Sequence, residues 1–457
     1  MKLDQLIINK TQSQTTKIKY AYLNNSNLII FAFSTVFYGR IFCSITNAPS
    51  ILSHAHFIVI PFVFWIVVIT SPVRNTKQQN LILYLLSGLY LLLTSILASA
   101  FLNEAGLINA SISFMMLGEP IMLLVAITSI PMSFQSFTKI KKFWMWSVLI
   151  NFLLAAVQKP LIDAGKLYAE GFDGTDGCGG VFFVSGAGNY VSASVSIAFA
   201  IHFLNNEKKI PLWIRIGVFL AAFWHILFSD SKQIILAYFI AWLLLIFVDF
   251  KNIEKTVGLL IGIILIGLVF FWCVQNIEAF KAYTSWARPE LYQADGAAWY
   301  AKFYSIRVII SEFKFPLNWL FGLGPGHTVS RLGGWFLQDY KSILAPLGAT
   351  ITNIGPESMA FIKSFWLTLG SSLFSPIFSW AGILGDLGII GLSIYLLLGY
   401  LVWQNYAFNN ALKIALLLIF VLGFIFTQIE EPGYMLSISL MLGLAWQERR
   451  LKNRQAK

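Results

Sequence analysis

Arg307, His327 and Arg331 flank a glycine turn, Gly322-Leu323-Gly324-Pro325-Gly326, in a stretch (304–331) where basic and aromatic residues interrupt an otherwise apolar chain. Glycine tolerates positive φ, so such a turn can aim several backbone N–H groups at one point. N–H groups converging beside cations hold phosphate. On this reading Gly324 and Gly326 shape the cradle, Arg307 and Arg331 supply charge, and His327 is a candidate general base. A guanidinium suits the task because its planar fork offers paired donors to phosphate oxygens.

Other residues could join that chemistry from a distance. Phe228-Ser229-Asp230-Ser231-Lys232-Gln233 is a tight turn between two apolar runs, which puts Lys232 at a helix start where exposed N–H groups and a cation can share an anion. Glu430 and Glu431 sit between two more apolar runs. From 411 to 447 there are only about 37 residues for two crossings, a reach of about 55 Å against two widths of a ~30 Å hydrocarbon core. The tip of that hairpin is therefore expected at or below the membrane surface, and carboxylates held so deep must face protein or water. Arg40, Glu119 and Asp386 fall inside apolar runs, where a charge needs a partner or a cavity. Arg288 shares the long segment that carries Arg307 and is taken with Arg40 as substrate-binding. His54 and His56 are one residue apart, on different helix faces, which argues against shared metal binding. The three cysteines, Cys43, Cys178 and Cys273, form no pair at a recognisable spacing. Neither a metal nor a cofactor is expected.

The positioning elements are membrane helices. With 57% hydrophobic and 12% charged residues and a mean hydropathy of +0.72, the chain lies outside the soluble globular range. Allowing about 20 residues per crossing, about twelve spans are expected, near 28–45, 56–71, 81–102, 108–130, 143–158, 181–203, 212–228, 234–248, 257–274, 378–403, 411–427 and 433–446. The organisation expected is a polar N-terminal tail (1–26), a first group of about nine spans (27–275), a large loop (276–377), three last spans (378–446) and a basic tail (447–457). A net charge of +11 could suggest nucleic acid. Lys and Arg lie mostly in short runs between spans, however, which is a topology signal, and no nucleic-acid partner is expected. The runs at Arg74/Lys77, Lys139–Lys142, Lys208/Lys209, Lys251/Lys255 and 449–457 alternate so that both termini are cytoplasmic and 276–377 is extracytoplasmic. No internal or inverted repeat is visible, which weighs against a transporter.

About a hundred residues between spans is far beyond an ordinary connection. The segment is rich in Trp, Tyr and Phe, unlike disordered chain. Apolar residues at helical spacing, such as Phe303, Ile306, Ile310 and Phe313, predict short amphipathic helices on the membrane surface, capping a cavity between the spans.

Taken together, the late large loop, Leu320-Phe321-Gly322-Leu323-Gly324-Pro325-Gly326 within it, and Gly385-Asp386-Leu387-Gly388-Ile389-Ile390-Gly391 opening the next span resemble the bacterial O-antigen polymerase and ligase superfamily. Asp176-Gly177 before a span is similar to a family segment, and Ser231-Lys232 stands where the family usually has Ser-Arg. The resemblance covers approximately 173–446. It implies an all-α polytopic fold of GT-C type. It also implies a metal-independent, inverting glycosyltransferase of the inner membrane using undecaprenyl-diphosphate-linked sugars. Lys232 and Arg307 then hold the lipid diphosphate. Ligases carry a histidine about eleven residues before the first glycine of the Gly-x-x-Gly, and here that position is Ile377, so the polymerase branch is favoured. The base that takes the acceptor proton would be His327 or a carboxylate from Glu430, Glu431 or Asp176. Membrane lipids, the lipid-linked repeat and a chain-length regulator protein are the partners implied. A ligase and a non-enzymatic flippase or exporter of lipid-linked oligosaccharide are the alternatives.

Overall fold

A computed structural model describes residues 24–71, 75–167, 177–183, 187–248 and 253–455. They form helices joined by turns, all-α as expected. Among them, five helical stretches are long and apolar enough to cross a membrane, namely Ser50–Thr70, Thr76–Leu102, Leu107–Ser129, Phe134–Asp163 and Ser372–Tyr406. A sixth is counted if Asn25–Phe37 and Gly39–Thr46, bent by 59° at Tyr38, make one span. The chain is thus a helical protein with several long apolar helices, consistent with a multi-pass membrane protein.

This corrects the expected dozen, and nothing in the arrangement supports a GT-C fold. The reason is helix length. Leu212–Phe228, Gln233–Val248 and Asn410–Leu422 are apolar but have 17, 16 and 13 residues. At 1.5 Å per residue even the first reaches only about 26 Å, short of a ~30 Å core. Two of these helices fill their apolar runs and are still too short, while the third stops at Leu422, five residues before its run ends.

Leu107–Ser129 is central. It packs against His56–Thr70, Thr76–Leu102 and Pro432–Gln455, and Thr76–Leu102 packs in turn on Ser379–Tyr406. Gly188–Asn206 is buried along nearly its whole length, and its stretch 191–198 is built mostly of Ser, Ala and Val. Small side chains let neighbouring backbones approach closely. Side-chain caps fix several helix starts. Asn75 accepts from the N–H of Lys77, Ser133 from that of Ser136 and Asn409 from that of Leu412.

Segment 276–377 folds into short helices around apolar clusters of its own. Phe280, Tyr283, Trp286, Leu291, Leu367 and Phe374 make one; Ile309, Val329, Ile354, Ile377 and Phe378 make another, shared with the start of helix Ser379–Tyr406. In helix Tyr304–Ser311 the buried residues are Ser305 and Ile309, whereas Phe303 and Ile310 are exposed. The segment is therefore a packed cap. Lys302 clamps it to the bundle. Its Nζ donates to the carbonyls of Leu373 (3.2 Å), Ser375 (2.8 Å) and Ile425 (3.1 Å) and lies 4.8 Å from the Phe378 ring centre. Burial lowers its pKa to about 7.

Candidate functional site

The glycine turn is folded against the helix that follows the cap. Gly322, Gly324 and Gly326 all have positive φ, and the turn's N–H groups are spoken for. Leu323 N–H donates to Gly385 O (2.8 Å) and Gly324 N–H to Asp386 O (3.1 Å). The Asp386 carboxylate then receives the N–H of Gly326 (2.7 Å), the N–H and hydroxyl of Thr328 (2.9 and 2.6 Å) and the hydroxyl of Ser330 (2.6 Å). A protein carboxylate thus occupies the place expected for a phosphate. The helix can present Asp386 this way because it is broken at Gly388 (φ 65°), where a Cβ would lie 2.4 Å from Leu320 O.

One residue past Ser330, Arg331 is delivered into the interior with 2% exposure. Its N–H donates to Glu430 Oε2 (2.6 Å) and its Nε to Glu431 Oε1 (2.9 Å). The other oxygen of Glu431 accepts from Arg40 Nη2 at 3.3 Å. Arg40 gets there because the chain bends by 59° just before it. The glutamates come from the turn between Asn410–Leu422 and Pro432–Gln455 and are buried, at 3% and 1% exposure. Burial raises the Glu430 pKa to about 8, opposed by the Arg331 N–H and reinforced by the nearby Asp386.

Two arginines therefore share one carboxylate, and each has a buried Nη1 with no hydrogen-bond partner. Arg40, Arg331 and Glu431 line a cavity of about 690 Å³ with His54, Trp335 and Tyr340. Two other cavities, of about 370 and 270 Å³, have walls that are almost wholly apolar. Chemically, the first can hold an anion against its arginines and stack a planar or sugar-like group on its aromatics. Among the described residues no three His, Cys, Asp or Glu side chains are grouped to hold a metal.

Of the residues singled out in the sequence, Arg40, Arg331, Glu430 and Glu431 are brought together, with Gly324 and Gly326 shaping the loop that leads to them. The others lie elsewhere. Arg307 is exposed, donating to Tyr300 O (2.7 Å) and stacked over the Tyr300 ring. Lys232 pairs with Asp230 at 2.6 Å. Arg288 is exposed beside Trp366 and donates to Ser285 O. His327 is buried; its Nδ1 is 2.9 Å from Leu323 O, which can only accept, so Nδ1 carries the hydrogen and Nε2 accepts from the Thr350 hydroxyl (2.7 Å). Both ring nitrogens are thus engaged, and neither His327, Arg307, Lys232 nor Arg288 lines the cavity. Asp176 lies outside the described residues. Glu119, fully buried, pairs with His56 at 2.9 Å.

Sequence reasoning passed over Asp339, which lines the cavity together with His54 and the loop aromatic Tyr340. His54, considered only for metal binding, ends the short helix Ser50–His54. For Asp339 no local pattern exists. No family model matches the chain, and no curated protein matches it.

Proposed function

We propose that the chain is a membrane glycosyltransferase that lengthens a polysaccharide, moving a growing glycan from undecaprenyl diphosphate to an incoming lipid-linked repeat with inversion. The observation that carries this reading is the Arg40–Glu431–Arg331 cluster in the wall of the 690 Å³ cavity. As the anomeric C–O bond breaks, negative charge builds on the departing diphosphate. Two guanidiniums lining the cavity wall stabilise that charge. Arg40 and Arg331 thereby take the role that the resemblance gave to Lys232 and Arg307, and Trp335 and Tyr340 offer surfaces for sugar rings.

Ile377 adds support, because the position at which ligases of the resembling superfamily carry a histidine lies in the wall of this same cavity. Its apolar side chain favours polymerase over ligase. On this reading the cap and cavity face the extracytoplasmic side of a bacterial inner membrane and both termini are cytoplasmic. A reporter fused after Gly334 and one at the C-terminus should therefore report opposite sides.

The test is polymer formation by purified protein from a synthetic lipid-diphosphate repeat. Arg40→Ala leaves Glu431 paired with Arg331, yet removes a charge-assisted contact of ~2–3 kcal/mol, slowing transfer about 30- to 150-fold. Arg307→Ala, on the exposed cap, should stay within about two-fold of wild type. Equal effects of the two substitutions would sink the assignment.

A further inference from the structure

We propose that Asp339 is the general base of the transfer, accepting the proton of the acceptor sugar's hydroxyl; the assignment rests on the glycosyl-transfer reading above. Three groups lining the cavity could act as bases at neutral pH, namely His54, Glu431 and Asp339. Glu431 has one oxygen on each arginine. Protonating it would dissolve the cluster at the moment the diphosphate needs it. His54 is wedged among Phe57, Phe336 and Tyr340, with Nδ1 buried and Nε2 at 3.3 Å from the Tyr340 hydroxyl. Neither nitrogen is free to meet a substrate.

Asp339 differs on each count. It ends the short helix Leu337–Asp339, reached from Arg331 through the π-helical turn Leu332–Phe336. Its residue is exposed while Arg331 is buried, so the carboxylate sits at the mouth and the guanidiniums in the wall. Among the described residues it makes no ion pair. Partial burial raises its pKa, which makes it a stronger base than a free carboxylate. The charged and titratable groups sharing its cavity are His54, Tyr340 and Tyr190 and, in the wall, Arg40, Arg331 and Glu431.

The geometry orders the reaction. The donor's diphosphate lies against the arginines, and the acceptor hydroxyl enters from the mouth between Trp335 and Tyr340. The hydroxyl oxygen forms a bond to the anomeric carbon as the C–O bond to the diphosphate breaks. That electron pair leaves on the diphosphate, and the hydroxyl proton passes to Asp339.

Asp339→Asn tests this with two nucleophiles. With the lipid-linked acceptor, kcat should fall about 10²- to 10⁴-fold with little change in KM for the donor, and the acid limb of the pH–rate profile should vanish. Azide attacks without losing a proton, so glycosyl azide should form at the wild-type rate in the same variant. Asp339→Glu should recover part of the polymerisation. Polymerisation by Asp339→Asn within about two-fold of wild type, or azide and hydroxyl products falling together, overturns the base assignment. A wild-type protein that makes neither product overturns the glycosyl-transfer reading with it, whereas loss of both products only in Arg40→Ala leaves that reading standing.

Discussion

Glu431→Gln separates an anion site from an ordinary buried salt bridge. In the folded chain two guanidiniums bracket one carboxylate, at 2.9 and 3.3 Å, so the cluster carries a net single positive charge. The amide keeps shape and one acceptor but removes the negative charge, leaving two buried cations facing each other. Stripping one partner from a buried pair costs about 3–5 kcal/mol. The chain has 457 residues, and at ~2.1 cal/mol/K of unfolding entropy per residue the melting temperature should drop by about 3–5 °C. Inorganic pyrophosphate should then act as the missing counter-charge. At about a hundred times its Kd it restores ~2.7 kcal/mol, or about 3 °C. The assay is thermal unfolding in detergent with pyrophosphate, against chloride at matched ionic strength. A variant that melts like wild type would refute the charge argument. One that is destabilised but indifferent to pyrophosphate would leave the arginines as scaffolding.

Glu430 gives a pH signature: its folded pKa of about 8 is above the ordinary carboxylate value of 4.5, so the stability it contributes is complete below the latter and lost as the pH rises through the former. The slope is at most ~1.4 kcal/mol per pH unit, and Glu430→Gln should flatten melting temperature across that window. Gly388→Ala forces a Cβ to 2.4 Å from Leu320 O at a φ of 65° and should cost about 3 kcal/mol in stability, whereas Gly399→Ala, with nothing within 4 Å, should be neutral or slightly stabilising. Lys302→Met leaves the carbonyls of Leu373, Ser375 and Ile425 without this donor. Amide exchange in 371–378 and 423–428 should accelerate about ten-fold or more, consistent with ~1.5–3 kcal/mol for a charged hydrogen bond; unchanged exchange would show that the clamp is idle.

What could be read from the sequence was local cost. Arg40 and Asp386 stood out as charges in apolar runs, and the short hairpin marked Glu430 and Glu431 as deep; the structure buries both glutamates and Asp386 and makes Arg40 mostly buried. What could not be read was pairing. The glycine turn has every feature of an anion cradle, but its anion is Asp386, 60 residues beyond Gly326. Arg307 and Lys232 looked suitable by type and position, and each found a neighbour within its own segment. Span count failed for a different reason: the apolar runs at 212–228 and 234–248 are helical along their length but too short to cross, and only the one at 411–427 loses its helix early, at Leu422.

The wide spacing of the arginine cluster bears on biosynthesis. Arg40 meets its partner 391 residues later in the chain, and Arg331 meets the same glutamate 100 residues later. A ribosome therefore finishes the cap, and nearly everything before it, while both guanidiniums lack their counter-charge. During that interval the nascent helix carrying Arg40 holds an unmatched cation, which favours a position near the anionic headgroups until the turn at Glu431 is translated.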